Sequence, residues 1–192
     1  DILNQLEDLR FGPLALALAA TLGIIGVGNI GRAITRRAIG FGMSILGNDV
    51  ASVSAEFLAE TGLEMVEKEE LLARSDFVTL NCDLNASTHH LMGQTELAAM
   101  KTSAYLINAA RGPLVDEAAL VWALRNGVIA GAALDVFEIE PLPEDSGLLS
   151  LDNCLLAPHN SNSSPEAYER VHKNTIKNLL DHLTTADSRG NP

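Results

Sequence analysis

The chain has 192 residues, 47% of them hydrophobic and 20% charged, a balance that suits one α/β domain with a sizeable core. A formal net charge of −12 argues against a nucleic-acid-binding surface. The two cysteines, Cys82 and Cys154, supply neither a disulfide framework nor a metal-ligand spacing, so no metal is expected.

Residues 1–20 read as a leading helix or linker, with Leu3, Leu6 and Leu9 at helical spacing and Gly12-Pro13 as a break. The start reads as the middle of something longer. The apolar run from Leu14 to Ala20 is too short for a bilayer and follows Asp1, Glu7 and Asp8 rather than a basic leader. No membrane contact is therefore expected, and the cytoplasm is the expected compartment. From Thr21 the pattern changes. Leu22, Ile24, Ile25 and Val27 form a short apolar run that suits a buried strand, and Ile30, Ile34, Ala38 and Phe41 then recur at helical spacing. Between them Gly26, Gly28 and Gly31 fall in the spacing G-x-G-x-x-G, the fingerprint of a dinucleotide site in this strand–turn–helix context. Gly26 permits the tight turn, Gly28 admits a pyrophosphate and Gly31 lets helix and strand pack closely. The helix start at Asn29 and Ile30 turns its unpaired N–H groups and positive dipole end toward the phosphates. A second strand from Met43 to Leu46 leads to Asp49, at the distance where the fingerprint places an acid for the adenosine ribose; the alternative is a surface aspartate in the turn Gly47-Asn48-Asp49.

Further along, Val53–Glu60 predicts a short helix closed by Gly62, Leu63–Val66 a strand and Glu67–Ala73 a charged helical turn or two. Asp76–Leu80 is the next strand, residues 81–90 a polar loop, Glu96–Met100 a helix and Ala104–Asn108 a strand. Asp116 opens a helix ended by Gly127, and Ile129–Val136 predicts a strand. Residues 138–153 read as loop and Cys154–Ala157 as a last strand. Ser164 as N-cap, Pro165 at the first position and Glu166 in the first turn start a final helix expected to reach about Leu183, followed by a frayed polar tail at 185–192. Strands alternating with helices imply a doubly wound parallel sheet of the Rossmann type over residues 21–163, with the helix 164–184 after it.

The segments LGIIGVGNIGR (22–32), SDFVTLNCDLNASTHHLM (75–92), LINAARGPLVDEAALVWAL (106–124), GAALDVFEIEPLP (131–143) and LDNCLLAPHN (151–160) together resemble the D-isomer-specific 2-hydroxyacid dehydrogenases, phosphoglycerate dehydrogenase-like members above all. The resemblance implies an NAD-dependent oxidoreductase acting on a small 2-hydroxy or 2-keto acid, assembled as a homodimer. It places Arg111, Glu140 and His159 in catalysis. Asp135 is implied to hold the nicotinamide carboxamide, Asp49 the ribose, and Asn81, Ala109 and Ala110 join the cofactor-binding set. Cys82 lines the adenine pocket by family position, or is simply a buried thiol. The chemistry fits these residue types. Histidine can give or take the proton on the C2 oxygen. A carboxylate beside it orients the imidazole and favours its charged form. Arginine offers a fork for the substrate carboxylate or keto oxygen. His89, His90, His172 and His182 read as structural or surface residues.

Two departures from the family pattern stand out. Asp83 occupies a position where a proline is usual, and Asn160-Ser161-Asn162-Ser163 replaces small and apolar residues. The family's substrate domain has no counterpart, so the chain reads as the cofactor-binding part of a larger enzyme or a truncated relative. Two rival functions share the frame: an NAD(H)-sensing module of the transcriptional corepressor type without turnover, and another oxidoreductase such as a phosphite dehydrogenase.

Overall fold

The apolar runs of the sequence become the strands of one sheet. The computed structural model describes residues 20–161 and 163–187, so the expected leading helix and the end of the polar tail lie outside the described residues. β1 (Thr21–Ile25), β2 (Ser44–Asn48), β3 (Glu64–Met65), β4 (Phe77–Leu80), β5 (Tyr105–Asn108), β6 (Gly131–Leu134) and β7 (Cys154–Leu156) lie in the order β3-β2-β1-β4-β5-β6-β7. Every neighbouring pair is parallel. Parallel neighbours need crossover connections. Helices α1 (Asn29–Ile39), α2 (Ala55–Thr61), α3 (Lys68–Arg74), α4 (Gln94–Ala99) and α5 (Glu117–Arg125) lie in the connecting segments. The result is the doubly wound sheet expected from the alternating signals, and its strand order reverses between β1 and β4.

Side chains alternate across the sheet, which sorts the core into two clusters. Leu22, Ile24 and Ile45 bury against Ala38 of α1 and Phe57 of α2. Ile25, Leu46, Leu80 and Leu106 bury with Leu71 of α3, Leu97 of α4 and Leu120 of α5. Full burial of one such side chain stabilises by about 1.5–3 kcal/mol. Burial, rather than the propensity of four-residue strands, therefore holds the sheet.

Helix ends follow local chemistry. The Ser54 side chain accepts from Phe57 N–H at 3.4 Å and Gly62, at φ 67°, closes α2. The Asp116 carboxylate accepts from Ala119 N–H at 2.9 Å to cap α5. Some bounds move from expectation. α1 stops at Ile39, short of Phe41, because the chain turns through Gly40 to Gly42, where φ is 72°. β6 is shorter than the run 129–136: Ile129 is fully buried, yet it lies in the turn that follows Gly127. The loop 138–153 contains a 3₁₀ turn at Gly147–Ser150, started by the Ser146 hydroxyl accepting from Leu148 N–H at 3.3 Å.

The chain divides into two compact units between Pro158 and His159. The second unit consists mainly of α6 (Pro165–Asp187), four residues longer than expected at its C-terminal end. Ser164 is its N-cap, with Oγ accepting from Ala167 N–H at 3.1 Å. Tyr168, Val171, Ile176, Leu179 and Leu183 along α6 are all more than half exposed. Among the described residues, no helix is long and apolar enough to cross a membrane.

Candidate functional site

Strand register sets where the site residues of the first unit fall. Asn48, Ile25, Leu80, Asn108 and Leu134 pair in one row across β2, β1, β4, β5 and β6. Each is the last residue of its strand. Asp49, Gly26, Asn81, Ala109 and Asp135 are the residues that follow this row. The parallel sheet thus delivers five sequence-distant candidates to a single edge, the carboxyl edge where open α/β sheets bind ligands.

Over β1, β2 and β4 this edge opens into a cavity of about 650 Å3. Gly26, Gly28, Asn29, Ile30, Asp49, Asn81 and Cys82 line it, together with Val50, Asp83, Asn85, Thr88 and Leu91. Gly26 has φ 95°, which L side chains rarely adopt, and a Cβ there would lie 2.6 Å from the Asn81 carbonyl carbon. Gly31 does not line the cavity. A Cβ on it would collide with the Gly26 carbonyl oxygen, so its role is the close packing of α1 on the turn. A Cβ on Gly28 would meet no protein atom within 4 Å, so the missing side chain leaves open space in the cavity. α1 starts without a side-chain cap and without an acid in its first turn. Its first amides therefore keep a positive end for an anion. Glycine cradle, open helix start and an acid on the cavity wall fit a dinucleotide.

Asp49 is already fixed from both sides. Its Oδ2 accepts from Val27 N–H at 2.6 Å and its Oδ1 from Ala51 N–H at 2.7 Å, which points the carboxylate across the glycine turn. Cys82 is half-buried, and burial raises its thiol pKa, with the charges of Asp83 and Asp49 adding to the rise. The wall at 83–88 is self-braced: the Thr88 hydroxyl donates to the Asp83 carbonyl at 2.7 Å, and Asn85 Oδ1 accepts from Ser87 N–H at 2.8 Å.

Ala109, Ala110, Arg111 and Asp135 lie past this cavity, beyond the ends of β5 and β6. The organiser there is Asn108, the last residue of β5. It is 1% exposed, donates from Nδ2 to the Arg111 carbonyl at 2.9 Å and accepts at Oδ1 from Ala110 N–H at 3.1 Å. Those two bonds fix the bend that presents Arg111. The Arg111 guanidinium is exposed and bonds the Ala110 carbonyl at 2.6 Å. Gly112 packs directly on the Phe137 carbonyl, leaving no room for a Cβ. Phe137 N–H in turn donates to Glu140 Oε1 at 3.0 Å. The Arg111 and Glu140 segments are thus interlocked through Phe137. Asp135 is buried, with its N–H donating to the Asn108 carbonyl at 2.9 Å.

His90, read from sequence as structural or surface, lies 2.5 Å through Nε2 from Glu138 Oε1 and stacks on the His89 ring at 4.0 Å. It ties the cavity wall to the segment that carries Glu140. A spacing of 48 residues hid this contact, and an isolated His-His pair carries no sequence signal for it. His159 opens the second unit with φ 54°, an uncommon backbone state for a residue other than glycine.

Comparisons with known proteins agree with this geometry. Residues 14–161 match the family model described as D-isomer specific 2-hydroxyacid dehydrogenase, NAD binding domain. The chain is 49% identical over 161 residues to a glyoxylate reductase of Korarchaeum cryptofilum, a match covering 83% of this chain and 48% of that protein. It is 47% identical over 148 residues to a D-3-phosphoglycerate dehydrogenase of Methanocaldococcus jannaschii, covering 77% of this chain and 28% of that one. A crystal structure of a glyoxylate reductase from Paecilomyes thermophila superposes with a TM-score of 0.80 at 42% identity, over 85% of this chain and 49% of the other. The chain spans about half the length of the first curated relatives it matches. With a glycine cradle, a carboxyl-edge cavity and the family's segments in order, the chain belongs to the D-isomer specific 2-hydroxyacid dehydrogenases and carries their NAD-binding domain.

Proposed function

We propose that the chain is the cofactor half of an oxidoreductase that moves a hydride between NAD and C2 of a small D-2-hydroxy or 2-keto acid. When bound, the nicotinamide supplies the redox chemistry. This chain's residues position it and handle charge and protons. The observation that carries the reading is the interlock of Gly112 with Phe137, which joins the Arg111 and Glu140 segments one strand beyond the dinucleotide cavity. Arg111 binds the carboxylate or keto oxygen of the acid through its forked cation. His159 carries the proton to or from the C2 oxygen, and Glu140 is the carboxylate assigned to catalysis with it. Asp135 holds the carboxamide end of the nicotinamide, with Ala109 and Ala110 beside it. Asp49, Asn81 and Cys82 serve the adenosine end, and Gly26, Gly28, Asn29, Ile30 and Gly31 the pyrophosphate turn. Residues 21–163 form the nucleotide-binding region in this reading. The protein works in the cytoplasm as a homodimer, and a monomer by light scattering at micromolar concentration would overturn that last part.

The test is NADH oxidation with glyoxylate and hydroxypyruvate, and NAD reduction with 3-phosphoglycerate. It is run on the chain and on a chimera supplying the half of the Korarchaeum cryptofilum protein that this chain does not span. Turnover in the chimera, removed by His159→Ala with NADH binding retained, is the expected result. Reduction of the keto acid takes up a proton, so its rate falls as pH rises while the reverse rate climbs. Tight NADH binding with no turnover on any acid would replace the enzyme reading with that of a binding module.

A further inference from the structure

We infer that Asp83 is a second specificity-determining carboxylate of the cofactor cavity, acting with Asp49 against a dinucleotide that carries a phosphate on its adenosine ribose. The inference rests on reading the cavity as the NAD site. Asp49 lines it from the end of β2 and Asp83 from the loop after β4, so two acidic residues border the same cavity from different strands. Cys82 lines the same cavity, and its thiol pKa, raised first by burial, is raised further by both charges. Among the described residues, no Lys, Arg or His lines the cavity.

The cations nearest in sequence are committed to other partners. Arg32 bonds the Val27 carbonyl at 3.2 Å and lies over the Phe57 ring at 5.3 Å. Arg36 lies over the same ring at 5.0 Å and grips Glu60 through two bonds of 2.9 and 3.0 Å. Arg37 bonds the Ala33 carbonyl at 2.8 Å, and Lys68 pairs with Glu96 at 2.9 Å. No other Lys or Arg occurs between residues 32 and 68. The pyrophosphate has the helix start for its charge, whereas an added ribose phosphate meets two acidic residues and, among the described residues, no cation lining the cavity. Asp49 dominates because it sits at the ribose position of the fingerprint. Asp83 is exposed, so its effect is smaller and is screened by salt.

The loop is held by the Asp83 carbonyl rather than its carboxylate, so Asp83→Asn removes charge without removing the Thr88 bond. The experiment is a fluorescence titration of the 192-residue chain with NADH and with NADPH. Parent, Asp83→Asn, Asp49→Asn and the double variant are compared at low salt and at high salt. At low salt Asp83→Asn is expected to improve NADPH affinity about three- to fivefold more than NADH affinity, and Asp49→Asn to shift the ratio further. The Asp83→Asn gain is expected to shrink in high salt, which a merely structural role would not produce. An unchanged NADPH-to-NADH ratio in Asp83→Asn at both salts would overturn the inference while leaving the cofactor reading intact. A parent that binds neither dinucleotide would overturn the cofactor reading and the inference with it.

Discussion

The two edges of the sheet use polar groups in opposite ways. At the amino edge they close on one another. Asp76, just before β4, donates its N–H to the Thr21 carbonyl at 2.9 Å and accepts from Tyr105 N–H at 3.0 Å. Its carboxylate accepts from Thr21 N–H at 2.8 Å and from the Lys101 ammonium at 2.8 Å, so one residue ties β1, β4 and β5 together. At the carboxyl edge polar groups instead shape loops. Asp49 holds the glycine turn, Asn108 holds the Arg111 bend and Glu140 holds Phe137. The first edge is a clasp and the second a frame around open space. The difference lies in the partners. At the amino edge a carboxylate meets the backbone and an ammonium beside neighbouring strands, and at the carboxyl edge carboxylates and an amide meet the backbone of turns and loops.

The strongest way to break the frame is to fill the space that glycine leaves. Gly31→Ala puts a methyl into the Gly26 carbonyl, a backbone group that cannot swing away, with Ile24 Cγ2 only 3.2 Å from the methyl. The expected result is a loss of about 3 kcal/mol or more in chemical denaturation, with NADH binding abolished. Gly28→Ala is the contrasting probe. Its backbone lies at φ −74°, open to any residue, and the new methyl meets no protein atom. Stability should hold while NADH binds about tenfold more weakly, a difference of about 1.4 kcal/mol. If both variants lost stability equally, the cavity would not be shaped by the absence of a side chain at Gly28.

Next in size is the buried amide at β5. Asn108→Ala strands the Ala110 N–H and releases the Arg111 carbonyl, and the expected cost is about 2 kcal/mol. Arg111→Lys touches an exposed side chain and should leave the urea midpoint in place. Equal losses in the two variants would mean that the Arg111 side chain, and not Asn108, holds the bend.

This contrast also explains what could be read from the sequence. The glycine turn is a local device, so spacing alone located Gly26, Gly28 and Gly31, and the cap residues Asp116 and Ser164 announced their helices for the same reason. Asp49 was found because strand length fixes how far along the chain the next carboxyl edge lies. Ala109, Ala110 and Asp135 came only through the family resemblance, since nothing in their local pattern marks them. Asp83 was marked only as a departure from the family pattern at the adenosine rim, whereas the role of Asn108, the pairing of His90 with Glu138 and the cavity position of Val50 were missed. Each depends on register between distant strands or on burial, and neither is written in a local pattern. The early end of α1 was missed because Gly40 and Gly42 outweigh the apolar period that continues to Phe41.

The smallest effect belongs to the clasp and is a matter of pH. Burial pushes the Asp76 carboxyl up, but the Lys101 ammonium and the Thr21 N–H together outweigh it and hold the group below its usual value. A carboxyl lowered by folding stabilises the fold fully above its unfolded value, and that contribution is lost as pH falls through the lower folded value. Asp76→Asn keeps an acceptor for Thr21 and discards the charge. Because the pair is about one-third exposed, the parent should exceed the variant by less than about 1 kcal/mol at neutral pH. That gap should stay level down to about pH 5, where an unfolded aspartate begins to protonate, and close progressively below it. NADH affinity should be the same in both proteins, because the change lies at the edge away from the cavity. Thermal melts across the pH series check the first expectation and a titration at neutral pH the second. A gap that persists into acid would show that the clasp works by shape rather than charge. Weakened NADH binding would show that the two edges are not separate devices.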